Sequence, residues 1–377
     1  MTPKERMLTA MRHGQPDMIP VSPDMSNMVP CRLTGRPFWQ MYYGGEYPLW
    51  RAYADAVKYF GFDGWHIYGS LNYTYDAQWS FNSEVVSRSE ESFVVRTTCD
   101  TPAGPLWNEV TYFNDQPPVL THAWIKDFPA DMARLRHMVP RITGYDPAPL
   151  KEQMEHVGDS AAVTVCVPVP GLQDLHGWFD GGLETAVYAE ADYPDEFAEF
   201  VSWLGEYYLQ MAEMVIDARP DFFMLGASGL GTLQSPRQFR QYSLPAIRKM
   251  TRMSREAGLP SFLHSCGKQR EMVGILAEET DLDVVNPLEI APMGDCDLAE
   301  IKSAYGGDRL ALMGNIHTTD VMLLGSPERV REECRKAIDA AAAGGGFILS
   351  TGDQCGRDTP FENIRAMIET AREYGRY

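Results

Sequence analysis

Short continuous apolar runs recur along the chain, too brief for helices and lacking the polar alternation of a half-exposed strand. They are Ile19-Pro20-Val21-Ser22, Gly64-Trp65-His66-Ile67-Tyr68, Ala162 to Val167, and Phe222 to Leu225. Four more follow: Ser261 to His264, Val284 to Pro287, Leu310 to Gly314, and Gly346 to Ser350. Runs of this kind suit strands buried on both faces of a parallel sheet. Amphipathic helical stretches separate most of them. Tyr47 to Phe60 is one, and Leu183 to Ile216 is a longer one. Pro236 to Ala257 follows Ser235, and Pro327 to Ala343 follows Ser326, so each opens with a capping serine and a proline at the first helical position. Phe361 to Tyr374 closes the series after Thr359-Pro360.

Alternating strands and helices predict an α/β protein with right-handed crossovers. Eight strands favour a closed (β/α)8 TIM barrel over an open sheet, with residues 1–377 as a single barrel domain. One region breaks the rhythm. Residues from about 71 to 160, between the second and third strands, exceed an ordinary connection. Within them Glu84 to Thr98 and Leu106 to Phe113 predict a β-hairpin around Thr101-Pro102-Ala103-Gly104, read as an inserted flap over one barrel mouth. The irregular segment Met25 to Glu46 follows the first strand and belongs at the same mouth.

Composition narrows the partners. Of 377 residues, 52 are acidic and 33 basic, a formal charge of -19. Such a surface repels nucleic acid and anionic membranes, which excludes both as partners. No apolar run reaches membrane-spanning length. Met1-Thr2-Pro3-Lys4-Glu5-Arg6 reads as a helix start rather than a secretory leader. Seven cysteines without paired spacing predict reduced thiols and a cytoplasmic location.

The candidate chemistry sits after two of the strands. His264 and Cys266 follow the fifth run, and Cys355 follows the eighth, in Ser350-Thr351-Gly352-Asp353-Gln354-Cys355-Gly356. Barrel enzymes carry their chemistry at the C-terminal ends of strands. One imidazole and two thiolates suit zinc (Zn2+), and three protein ligands leave a position open for catalysis. The competing account makes His264 a hydrogen-bonded core residue and both cysteines apolar filler. The His-x-Cys spacing alone leaves the two accounts level; the strand-end positions and adjacent glycines favour the metal. Asp24, His66, Asn286, Glu289 and Asn315 lie at predicted strand ends, and with Met25 and Tyr68 they are candidates to position a substrate. Glu289 is also a candidate fourth ligand or an acceptor for His264. Helix capping and loop hydrogen bonding account for these polar residues equally well.

Several stretches resemble the uroporphyrinogen decarboxylase superfamily. They are Lys4 to Arg12, Pro16 to Val21, Ser235-Pro236, Gly307 to Asn315, Phe347 to Gly352, and Thr359 to Ile364. The resemblance covers nearly the whole chain, most weakly from Met25 to Leu150, and it implies a (β/α)8 barrel. The metal-free decarboxylases of the superfamily carry an arginine cluster near the N-terminus. Arg36 to Gly45 lacks it. The other branch comprises zinc-dependent methyltransferases that work with corrinoid proteins, and its His-x-Cys…Cys signature matches His264, Cys266 and Cys355. The resemblance therefore implies a zinc enzyme that passes a methyl group between a small molecule and a corrinoid. No Asp-x-His-x-x-Gly motif is present, so the corrinoid is expected from a partner protein. Aromatic and Met residues near the mouth, such as Met25, Trp39, Tyr42, Trp65 and Tyr68, favour an aromatic methyl ether as the donor, that is, O-demethylation. A thiol methyltransferase of the coenzyme M kind, a metal-free decarboxylase-like enzyme and a binding protein are the alternatives. Where many relatives carry paired acids after the fourth strand, this chain has Gly226-Ala227-Ser228-Gly229. Any role of those acids does not carry over.

Overall fold

The computed structural model describes residues Met1–Tyr377. Six parallel strands lie side by side in the order Phe347–Thr351, Ala311–Ile316, Val284–Asn286, Ser261–His264, Phe223–Gly226 and Cys166–Pro168. Gly64–His66 pairs in parallel with Ala161–Val163, only two residues before Cys166. At the other edge Val21 bridges Leu349 in parallel, and Asp63 N donates to Val21 O at 2.9 Å. Backbone hydrogen bonds thus join all eight predicted segments. The side chains of Val284, Val285, Leu312, Met313, Phe347 and Ile348 are wholly buried, because helices cover one face of the sheet and packed side chains the other. A main cluster of 87 buried apolar residues results, beside a small one of Cys31, Phe38, Met41 and Ala52.

Helix starts follow the sequence closely. Thr2 and Glu5 form a reciprocal capping box, and Ser326 accepts from Arg329 N. Helix interiors depart from it at prolines. The stretch Leu183 to Ile216 is two helices, Gly182–Asp192 and Pro194–Asp217, since Tyr193 before the proline takes an extended φ of -135°. Pro236 to Ala257 divides into Pro236–Gln238, a π-turn at Phe239–Ser243, and Leu244–Glu256. Pro245 has no N–H for the preceding turn, and the wider π-turn absorbs the missing bond. The strand predicted from Ala162 to Val167 breaks at Thr164. Its hydroxyl donates to Phe222 O at 2.7 Å instead of leaving the chain extended.

Between the second and third parallel segments the chain is antiparallel. Asn72–Asp76 pairs with Arg141–Asp146. Ser80–Arg88, Ser92–Thr101, Gly104–Phe113 and Val119–His122 form a four-stranded meander. The predicted hairpin turn at Thr101-Pro102-Ala103-Gly104 is present. The predicted strand Glu84 to Thr98, however, is two strands. Ser89 Oγ accepts from Glu91 N and Ser92 N and turns the chain there. Ala148–Val157 is a helix leading into Ala161–Val163. The segment after the first strand holds two short helices, Met28–Thr34 and Trp39–Tyr42. No helix is long and apolar enough to cross a membrane.

Candidate active site

The C-terminal ends of the parallel strands converge on a cavity of about 400 Å³ lined by 14 residues, among them Asp24, Trp65, Tyr68, Cys166, His264 and Cys266. Register places Gly226 beside His264 and His264 beside Asn286. Gly226 keeps the cavity open, because a Cβ there would lie 2.6 Å from the Cys166 sulfur. Trp65 walls one side, its ring centroid 6.3 Å from that of His264. A larger groove of about 620 Å³ lies outside, between the helices Arg270–Glu279 and Leu298–Tyr305. It contains none of the strand-end residues.

His264 is fixed from behind. Its Nδ1 lies 2.6 Å from Asn286 Oδ1, while Asn286 Nδ2 donates to Met313 O. The amide orientation is therefore set, and Nδ1 must carry the proton it donates. Nε2 is the nitrogen left for a thiol or an ion. Burial opposes a charge on His264, yet the Cys266 thiol, Asp24, Asp353 and Asn286 together push the imidazole up to about 9. Burial pushes Asp24 up to about 6 and the Cys355 thiol up to about 12. Glu289 is raised by burial and accepts from Gly267 N, closing the turn after Cys266.

The predicted site residues divide between cavity, wall and core. His264, Cys266, Asp24 and Tyr68 line the cavity. Asn286 stands behind His264, and Glu289 braces its loop. Cys355 is fully buried beside them, its backbone N donating to Asp24 O at 2.8 Å. Met25 packs in the apolar core. His66 is buried, donates from Nε2 to Gln153 Oε1 at 2.8 Å, and is held neutral by burial, which pulls it down to about 4. Asn315 donates to Leu288 O at 3.0 Å and faces a separate cavity with Cys296 and His317. Sequence reasoning missed Ser26, Asn27, Cys166, Asp353 and Gln354, all lining the cavity. Gln354 Oε1 accepts from Ser26 Oγ at 3.0 Å and Asn27 N at 2.9 Å, tying the first and last strand-end loops together. Its place beside Cys355 was the one available signal.

The donor set suits a soft divalent ion in its chemistry: a histidine with its second nitrogen anchored by an amide carbonyl, and two thiols. The geometry is only partly assembled. No three His, Cys, Asp or Glu side chains stand together in an ion-holding group. His264 and Cys266 both line the cavity, whereas Cys355 is fully buried outside its lining.

A family profile described as Uroporphyrinogen decarboxylase (URO-D) matches residues 181–374. Among curated proteins, the chain is similar to a methylated-thiol–coenzyme M methyltransferase of Methanosarcina mazei, 24% identical over 57% of this chain and 52% of that protein. It is also similar to the methylcobamide:CoM methyltransferase MtaA of Methanosarcina barkeri, 31% identical over 38% of each chain. The chain thus spans about half the length of the first relative and less of the second. Among solved structures, a methyltransferase from Methanosarcina mazei superposes with a TM-score of 0.66 at 18% identity, covering 99% of both chains. That likeness concerns the fold, and it accords with the strand order above. With the profile covering more than half of its residues, the chain belongs to the uroporphyrinogen decarboxylase (URO-D) family.

Proposed function

We propose that this chain is a zinc-dependent methyltransferase that takes a methyl group from an aromatic methyl ether and passes it to the corrinoid of a partner protein. The observation that carries this reading is His264. Its Nδ1 is committed to Asn286, and its ring shares with Cys266 a cavity walled by Trp65 and Tyr68. In this reading the eight parallel segments close into one (β/α)8 barrel domain, with the antiparallel meander as a flap beside its mouth. Asp63 bonded to Val21 and the bridge from Val21 to Leu349 support the closure. Reduced cysteines fit work in the cytoplasm.

His264, Cys266 and Cys355 would hold the zinc, the buried Cys355 side chain turning toward the cavity to do so. Bound there, zinc supplies Lewis acidity toward an ether oxygen. The chain's own residues do the rest. Trp65 and Tyr68 take the aromatic ring. Asn286 fixes the His264 ring, and Glu289 fixes the loop that carries Cys266. Gly226 leaves room for the methoxy group. A partner's Co(I) corrinoid would supply the electron pair for the new bond to methyl, while the C–O pair would stay on the oxygen, which would take a proton from solvent.

A second reading has one specific support. The curated relatives bear names that make coenzyme M or a methylated thiol the small molecule. In that reading the same three ligands would present a thiol acceptor. Zinc analysis of the reduced protein, with Cys355→Ala alongside, tests the shared site. About one zinc per chain, lost in the variant, is expected. Transfer of methyl from a methoxyarene to Co(I) corrinoid, and not from methylcorrinoid to a thiol, separates the two. Protein without zinc after anaerobic preparation would sink both.

A further inference from the structure

The cavity beside His264 contains an acid that the reaction above does not use. Asp353 lines it, yet its carboxylate has no hydrogen-bond or ion-pair partner within the chain; only its main-chain oxygen is bonded, accepting from Thr351 Oγ1 at 2.7 Å. The backbone there has φ of +148°, a conformation that side-chain-bearing residues rarely adopt. Both flanks are pinned. Gly352 N donates to Ile316 O at 2.7 Å, and Cys355 N donates to Asp24 O at 2.8 Å. The loop therefore holds a free carboxylate toward the cavity at a cost in backbone strain.

The rest of the lining shares this polarity. It holds two acids, Asp24 and Asp353, and neither lysine nor arginine. Asn27 Oδ1 and Tyr68 Oη belong to lining residues and are buried without partners. An amide oxygen and a carboxylate both ask for a donor from the ligand, and a phenol hydroxyl can take or give a hydrogen bond. A zinc ion balanced by two thiolates would bring no net positive charge. An acid group on the substrate would therefore face Asp24 and Asp353 with no cation to offset it.

We propose that Asp353 determines specificity in this pocket, admitting hydroxyl-bearing methoxyarenes and disfavouring those among them that also carry a carboxylate. The inference rests on the aromatic-ether reading above. Ring faces on Trp65 and Tyr68 take the arene, and Asp353 accepts from its hydroxyl.

Calorimetric titration of the zinc-loaded protein with guaiacol and with vanillate, at neutral pH and without corrinoid, tests it. Guaiacol should bind roughly tenfold or more tightly than vanillate. Asp353→Asn should narrow that ratio by roughly tenfold. Asp353→Gly removes the carboxylate and suits the backbone, so it should fold and narrow the ratio likewise. Vanillate binding as tightly as guaiacol, or a ratio unchanged in both variants, overturns the assignment while leaving O-demethylation standing. If neither arene binds and the protein methylates a thiol from methylcorrinoid, the aromatic-ether reading falls and this inference falls with it.

Discussion

His264 donates from Nδ1 to Asn286 Oδ1 at 2.6 Å, between residues that are register partners on adjacent parallel strands. The sheet itself thus sets the imidazole's tautomer. Asn286→Ala should leave the ring free to turn and weaken binding at the proposed zinc site by roughly 10–100-fold, read by chelator competition. Asn286→Asp, which keeps an acceptor, should lose much less. Unchanged affinity in Asn286→Ala would mean that the hydrogen bond does not orient the ligand.

Gly226 and Cys166 share one space. A Cβ at position 226 would stand 2.6 Å from the Cys166 sulfur, so Gly226→Ala should overpack the cavity floor and cost about 1–3 kcal/mol. Adding Cys166→Ala removes the sulfur and should restore most of the loss. Urea unfolding of the two single variants and the double variant reads the coupling. Strictly additive effects would show that the clash is relieved elsewhere.

Asp174 gives the fold a pH dependence away from the candidate site. It is half-buried, accepts from Tyr208 Oη at 2.7 Å, and is pushed by desolvation from 3.8 up to about 7, the tyrosine's hydrogen bond opposing the shift. Below about pH 4 the folded and unfolded chains both hold this proton, and its stabilising contribution is complete. Between there and about 7 the unfolded chain releases a proton that the folded chain retains, so stability falls as pH rises, by up to about 4 kcal/mol. Urea midpoints measured across this window should decline more steeply in the natural chain than in Asp174→Asn. Equal slopes would show that Asp174 ionises inside the fold without penalty.

Much of the fold was legible because its strands are buried on both faces. Runs such as Val284-Val285-Asn286 and Phe347-Ile348-Leu349 leave no polar alternation to confuse with an exposed strand. Helix starts were legible because capping is local, as Thr2 with Glu5 shows. Breaks were less so. Thr164 interrupts its strand through a bond to Phe222 O, a partner remote in sequence, and Ser89 turns the chain inside what looked like one strand. The candidate site divides the same way. His264, Cys266 and Cys355 stood out as soft donors next to strand ends, and Asp24 and Tyr68 do line the cavity. Asn315 had the same strand-end signal and Met25 lay in the irregular mouth segment, but packing turned Met25 into the core and Asn315 toward a different cavity.

The sequence by itself determined the parallel α/β architecture, the interruption after the second segment, and the residue types available for soft-metal chemistry. These depend on periodicity, turn residues and composition, all local properties. Only the tertiary structure decided that Asn286 supports His264, that Gly226 makes room beside Cys166, that Gln354 ties two distant loops together, and that Asp353 faces the cavity without a partner. Each of these depends on which strands become neighbours and in what register. That choice is made by burying the whole apolar surface at once, and no local stretch of sequence records it.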